Sequence, residues 1–98
     1  MARLEGKVAI ITGATGGIGK TAAKLFVLEG AKVMLLDRDA DALRALCTEL
    51  GPRARFTKGD VSQPGDNARC TEAAIEQFGG IDILFANAGI EGTVCPLT

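Results

Sequence analysis

The sequence predicts an α/β protein with a parallel sheet, and three observations carry that prediction. Four short apolar runs alternate with three longer stretches of helical period, the pattern of strands joined by helical crossovers. The first apolar run, Val8-Ala9-Ile10-Ile11, is hydrophobic on both faces, as a strand covered by helices on each side requires. The four runs then end in small or polar residues on one edge, where open α/β sheets bind ligands. With 98 residues the chain makes a single domain, since domains commonly hold roughly 100–200 residues.

Taken in order, the first strand covers residues 7–11. A glycine-rich turn leads into a helix over about residues 18–29, with Ile18, Ala22, Leu25 and Phe26 on one face and Gly30 as its left-handed end. The second strand, residues 32–36, has Asp37 at its carboxyl end. Asp39 is placed to cap the next helix, where Leu43, Leu46, Cys47 and Leu50 recur at helical spacing until Gly51-Pro52 stops it. A third strand, residues 54–58, precedes Gly59-Asp60-Val61. Ser62 then stands at an N-cap position with Pro64 in the first turn of a third helix. That helix is expected to turn Thr71, Ala74, Ile75 and Phe78 inward and to close at Gly79-Gly80. The fourth strand is residues 81–86, after which Asn87-Ala88-Gly89 turns the chain away and residues 90–98 read as a loop. The order βαβαβαβ, with right-handed crossovers, is half of a doubly wound fold.

Composition removes several classes of function. At 47% hydrophobic the chain can bury a core, unlike a disordered tail. A net charge of −1, with the basic residues scattered, argues against nucleic acid or anionic lipid as the main partner. No apolar stretch approaches the roughly 18 residues of a membrane span, and the first five residues do not read as a signal peptide. Three widely spaced cysteines, Cys47, Cys70 and Cys95, form neither a C-x-x-C pair nor a disulfide scaffold, which suits a reducing, cytosolic setting. Histidine, tyrosine and tryptophan are absent, and Ser62 is the one serine.

The chemistry begins at the turn Thr12-Gly13-Ala14-Thr15-Gly16-Gly17-Ile18-Gly19, between the first strand and the first helix. A helix N-terminus offers unpaired N–H groups and partial positive charge, so phosphate binds there. Glycine lets the backbone turn sharply and approach the phosphate without a Cβ. A second motif overlaps: residues 14–21 match the P-loop pattern G-x-x-x-x-G-K-[ST] except for Ala14 in its first position. In that reading Lys20 holds terminal phosphates and Thr21 a metal, making the protein a nucleotidase. The glycine turn by itself fits both readings.

The other strand ends favour the first. Asp37 stands where a dinucleotide fold places the acid that accepts hydrogen bonds from the adenosine ribose. Asp60-Val61 and Asn87-Ala88-Gly89 end the third and fourth strands, on the edge where open α/β sheets bind ligands. Together, Thr12-Gly13-x-x-x-Gly17-Ile18-Gly19, Asp37, Asp60-Val61 and Asn87-Ala88-Gly89 resemble the short-chain dehydrogenase/reductase family, in order and over essentially the whole chain.

The resemblance implies a Rossmann-type doubly wound sheet and hydride transfer between a nicotinamide cofactor and an alcohol or ketone. It implies that Gly13, Thr15, Gly16, Gly17, Ile18 and Gly19 wrap the pyrophosphate and that Asp37 binds the adenine ribose. Asp60 and Val61 bracket the adenine, and Asn87, Ala88 and Gly89 run beside the cofactor. Ala86 stands where the family often has another asparagine. Arg38 is basic and near a 2′-phosphate position, but Asp37 would repel that phosphate, so NAD is expected over NADP. The family's catalytic Tyr-x-x-x-Lys and serine have no matching positions, since the chain lacks tyrosine and Ser62 lies on the adenine side. The expectation is therefore a cofactor-binding N-terminal part, inactive alone, belonging to a shortened gene product or a longer chain. A small-molecule substrate and homo-oligomerisation belong to the full-length form. A non-catalytic dinucleotide-binding module is the alternative. An open apolar edge on the fourth strand is also expected, and with it marginal stability and self-association.

Overall fold

The computed structural model describes residues 4–60, 63–86 and 93–96. Five strands and three helices follow one another as β1 (Val8–Thr12), α1 (Gly17–Leu28), β2 (Lys32–Asp37), α2 (Ala40–Leu50), β3 (Ala54–Lys58), α3 (Pro64–Phe78), β4 (Ile83–Ala86) and β5 (Thr93–Pro96). The sheet order is β3-β2-β1-β4-β5. The first four strands are mutually parallel, and β5 runs antiparallel to β4. Chain order reverses between β1 and β4, the switch point at which doubly wound sheets open a crevice beyond their carboxyl ends.

The continuous apolarity of β1 and β2 has the expected cause. Alternate residues point to opposite faces, so one side of the sheet presents Ala9, Ile11, Val33 and Leu35, which pack with Ala23, Leu43 and Leu46 of α1 and α2. The other side presents Val8, Ile10, Met34 and Leu36 to Cys70 and Ala74 of α3. Two cores, one on each face, make the three layers. Asp82 fastens β4 to the start of β1: its carboxylate accepts from Val8 N–H at 2.9 Å and its own N–H donates to the Val8 carbonyl at 2.8 Å.

Capping follows the sequence in part. Asp39 caps α2 by accepting from Ala42 N–H at 3.1 Å, and Gly79 ends α3 in the left-handed region at φ 90°. At the start of α3 the N-cap is Gln63, without a side-chain bond, and Pro64 opens the first turn. Ser62, expected in that role, lies outside the described residues.

Three expectations require correction. On α1 the buried residues are Gly19, Ala22 and Ala23, while Ile18 and Leu25 are 62% and 55% exposed. The small residues let the helix lie close on β1 and β2, which turns its larger apolar residues sideways above β4. On α3 the buried residues are Cys70 and Ala74, and Ile75 is 51% exposed. Finally, residues 93–96 form β5 where a loop was expected, pairing Ile83 with Pro96 and Ala86 with Thr93. The β4 edge, expected to stay open, is therefore paired: its N–H and C=O groups are met by the chain's own continuation. Proline is tolerated there because β5 is itself an edge strand.

Candidate cofactor site

The site is built at the carboxyl edge of the sheet, where Thr12, Asp37, Lys58 and Ala86 end their strands. Gly13 leaves β1 with φ 62°, a left-handed conformation that favours glycine. Gly19 is glycine for a different reason: a Cβ there would stand 2.3 Å from the Gly13 carbonyl oxygen. The turn therefore folds directly onto the first turn of α1, and no side chain fits between them.

Gly16 and Gly17 have neither constraint. Both lie outside the positive-φ region, a Cβ on Gly17 would meet none of the described residues within 4 Å, and one on Gly16 would make only an ordinary contact at 3.4 Å. The fold has room for side chains at both positions, yet the sequence keeps the space above the helix clear. α1 also starts without a capping side chain and with no acid in its first turn, in contrast to α2 with Asp39 and Asp41. Its positive end is thus left for an anion.

Asp37 ties this turn to β2. Its Oδ2 accepts from the Thr15 hydroxyl at 2.6 Å and from the Thr15 N–H at 2.9 Å, and its Oδ1 accepts from Arg38 N–H at 2.7 Å. Burial pushes the carboxyl upward in pKa. The Thr15 side-chain and backbone bonds, the Arg38 N–H bond and the Arg38 charge together outweigh it, and the net direction is down from 3.8. Asp37 is therefore charged at neutral pH. On its outer side Arg38, with 78% of its side chain exposed, approaches Asp60 at 3.7 Å.

Asp60 is held in turn by a residue that sequence reasoning passed over. Asp66, in the first turn of α3, accepts from Asp60 N–H at 2.8 Å and pairs with Arg69. Its side chain fills the space beside Gly59, where a Cβ would come within 2.9 Å. The available signal was an acid at the third position of a helix beginning with proline, placed to reach back to an upstream N–H.

The family model described as short chain dehydrogenase matches residues 7–97. Tropinone reductase-like 1 of Erythroxylum coca is 45% identical over 97 residues, 98% of this chain and 36% of that protein. A solved 3-ketoacyl-(acyl-carrier-protein) reductase from Brucella melitensis, complexed with NADH, is 44% identical with a TM-score of 0.80, covering 83% of this chain and 33% of that one. A second solved structure from Brucella melitensis, a short-chain dehydrogenase/reductase of the glucose/ribitol dehydrogenase type, has a TM-score of 0.86 at 40% identity, covering 89% of this chain and 38% of that one. The chain belongs to the short-chain dehydrogenase family.

It spans about a third of the length of those relatives. Short-chain dehydrogenases are oxidoreductases, and the doubly wound sheet seen here is their nicotinamide-dinucleotide-binding fold. Family membership settles the overlap of motifs at residues 14–21 against the P-loop. Thr21, the metal-binding hydroxyl of that reading, donates to the Gly17 carbonyl at 2.9 Å within its own helix.

The structure brings Gly13, Thr15, Gly16, Gly17, Ile18, Gly19, Asp37, Arg38 and Asp60 to one edge of the sheet. Val61, Asn87, Ala88 and Gly89 lie outside the described residues. Among the described residues no cluster of acids and cysteines is arranged to hold a metal ion, and no helix is long and apolar enough to cross a membrane.

Proposed function

We propose that this chain is the cofactor-binding part of an NAD(P)-dependent oxidoreductase acting on CH–OH groups, and that NAD is the preferred cofactor. The observation that carries this reading is the clear space over Gly16 and Gly17 at the uncapped start of α1, next to a charged Asp37. Phosphate oxygens fit the first and ribose hydroxyls the second. The residues present suit the group: Gly13, Thr15, Gly16, Gly17, Ile18 and Gly19 hold the pyrophosphate, Asp37 and Arg38 the adenosine ribose, and Asp60 and Val61 the adenine. On the family resemblance we assign Asn87, Ala88 and Gly89 to the same cofactor. A nicotinamide dinucleotide bound here would supply hydride acceptance or donation to an alcohol or ketone.

The chain holds no tyrosine, so the family's tyrosine–lysine pair has no counterpart in it. We place catalysis, the alcohol or ketone substrate and homo-oligomer formation in a full-length form, and expect this chain to bind without turning over. Cys47 and Cys70 are free thiols, which supports a reducing, cytosolic setting.

Calorimetric titration with NADH and NADPH tests the reading. Tighter binding of NADH, with the preference abolished by Asp37→Ala, is expected. Preference for NADPH, or binding of Mg·ATP in place of either, would overturn it.

A further inference from the structure

The Asp37 carboxylate is more fully engaged than a ribose-binding acid needs to be. A carboxylate offers about four lone-pair positions. Among the described residues three are taken, two by Thr15 and one by the Arg38 N–H. Both Thr15 bonds fall on Oδ2, so that oxygen is fixed toward the glycine turn, while among the described residues Oδ1 keeps an open position. A free aspartate side chain rotates about two bonds and can swing away from an incoming negative group. Asp37 is pinned from one side by a hydroxyl and an amide, and from the other by its neighbour's amide.

We propose that Thr15 is a specificity-determining positioning residue, holding Asp37 so that the site accepts a ribose 2′-hydroxyl and rejects a 2′-phosphate. The inference rests on the cofactor reading above and adds to it: Thr15 acts on the choice between cofactors through Asp37, besides any contact with the pyrophosphate. Two features of the geometry support it. The Thr15 hydroxyl bond to Oδ2 is the shortest of the three, at 2.6 Å, and hydrogen bonds to a charged acceptor are the stronger class. The bond also links the glycine turn to the end of β2, so the pyrophosphate and ribose ends of the site are set relative to each other by one side chain.

Rejection of the phosphate follows from this arrangement. A 2′-phosphate brings about two negative charges to Oδ1. A carboxylate free to turn or take up a proton would relieve that repulsion, whereas one held charged and in place cannot. Arg38 is occupied on the same side by Asp60 at 3.7 Å, which draws the nearest cation away from a phosphate.

The test uses Thr15→Val, which keeps the branched shape and the backbone N–H and removes only the hydroxyl, with Thr15→Ser as the conservative variant. Affinities for NADH and NADPH are measured by calorimetry for both, alongside the unchanged chain and Asp37→Ala. Circular dichroism establishes that each variant is folded. Thr15→Val is expected to reduce the NADH-to-NADPH preference about tenfold, and Thr15→Ser to restore most of it. The Asp37 carboxyl, followed by carbon-13 NMR titration, is expected to move up in Thr15→Val and return in Thr15→Ser. A merely structural role would lower both affinities by one factor and leave their ratio unchanged, which would overturn the proposal. If Asp37→Ala abolishes the preference while Thr15→Val leaves it intact, the cofactor reading stands and the Thr15 proposal fails. If Asp37→Ala also leaves the ratio unchanged, or the unchanged chain binds neither cofactor, both fail.

Discussion

The two flanks of the sheet are finished to different degrees. On the β2–β3 side, Val33, Met34, Leu35 and Leu36 are fully buried, α2 and α3 cover opposite faces, and α2 is linked to α1 by the Lys24–Glu49 pair at 2.9 Å. On the β4 side, residues Ile83, Leu84 and Phe85 are only half-buried. Above them Ile18 and Leu25 of α1 border a groove of about 550 Å³ whose floor includes Phe85. Phe85 itself meets Phe26 edge to face, with centroids 6.1 Å apart. One α1 helix thus serves both conditions: Ala23 lies in the finished core with Phe26 and Val27 packed against it, while Ile18, Ala22 and Leu25 border the groove on the unfinished side. The proposed adenosine end of the site, Thr15, Asp37, Arg38 and Asp60, lies at the end of this finished flank, tied together by the Thr15–Asp37 bonds and the Arg38–Asp60 pair.

Three substitutions bear on this comparison, in decreasing order of effect. Leu35→Ala opens a cavity in the completed core and is expected to cost about 2–5 kcal/mol in denaturant unfolding. Gly19→Ala drives a methyl group against the Gly13 carbonyl and is expected to cost about 1–3 kcal/mol, with loss of dinucleotide binding. Leu25→Ala removes a side chain more than half exposed and is expected to change stability by about 0.5 kcal/mol or less. Equal losses for Leu35→Ala and Leu25→Ala would show that the two flanks are equally packed and that the contrast is wrong.

A smaller effect concerns pH. The folded pKa of Asp37 is lowered, so its contribution to stability is fully present above the unfolded value near 3.8 and is lost as pH falls through the folded one. Unfolding midpoints measured from pH 6 downward are expected to decline less steeply through that acid window in Thr15→Val than in the unchanged chain. Identical profiles would mean that the Thr15 hydroxyl does not hold the charge.

How far the sequence reveals this molecule depends on which residues are asked. Four parallel strands and three helices were legible because β1 and β2 are apolar at every position that the sheet buries except Thr12 at the end of β1, and because Asp39, Gly30, Gly51 and Gly79 mark helix ends. The glycine turn was legible because Gly13 and Gly19 serve the backbone directly, and Asp37 because an acid at the end of β2 is the residue type that a dinucleotide fold places there. The inner face of α1 was not: helical periodicity ranks Ile18 and Leu25 as core, and only the close approach allowed by Gly19 and Ala23 shows that they face aside. β5 was hidden for a related reason, since Thr93–Pro96 carries a proline and gains strand character only from the open edge of β4 beside it. The Thr15–Asp37 bond spans 22 positions in the chain, and no local pattern announces it.

The most direct measurement is a map of backbone amide shifts on titrating the chain with NADH. The predicted result is that perturbation concentrates at Gly13, Thr15, Gly16, Gly17, Asp37, Arg38 and Asp60, and leaves the Gly51 end of α2 unmoved. Shifts confined to Ile18, Leu25 and Phe85 along the groove, with the Asp37 region silent, would contradict a dinucleotide site on the finished flank.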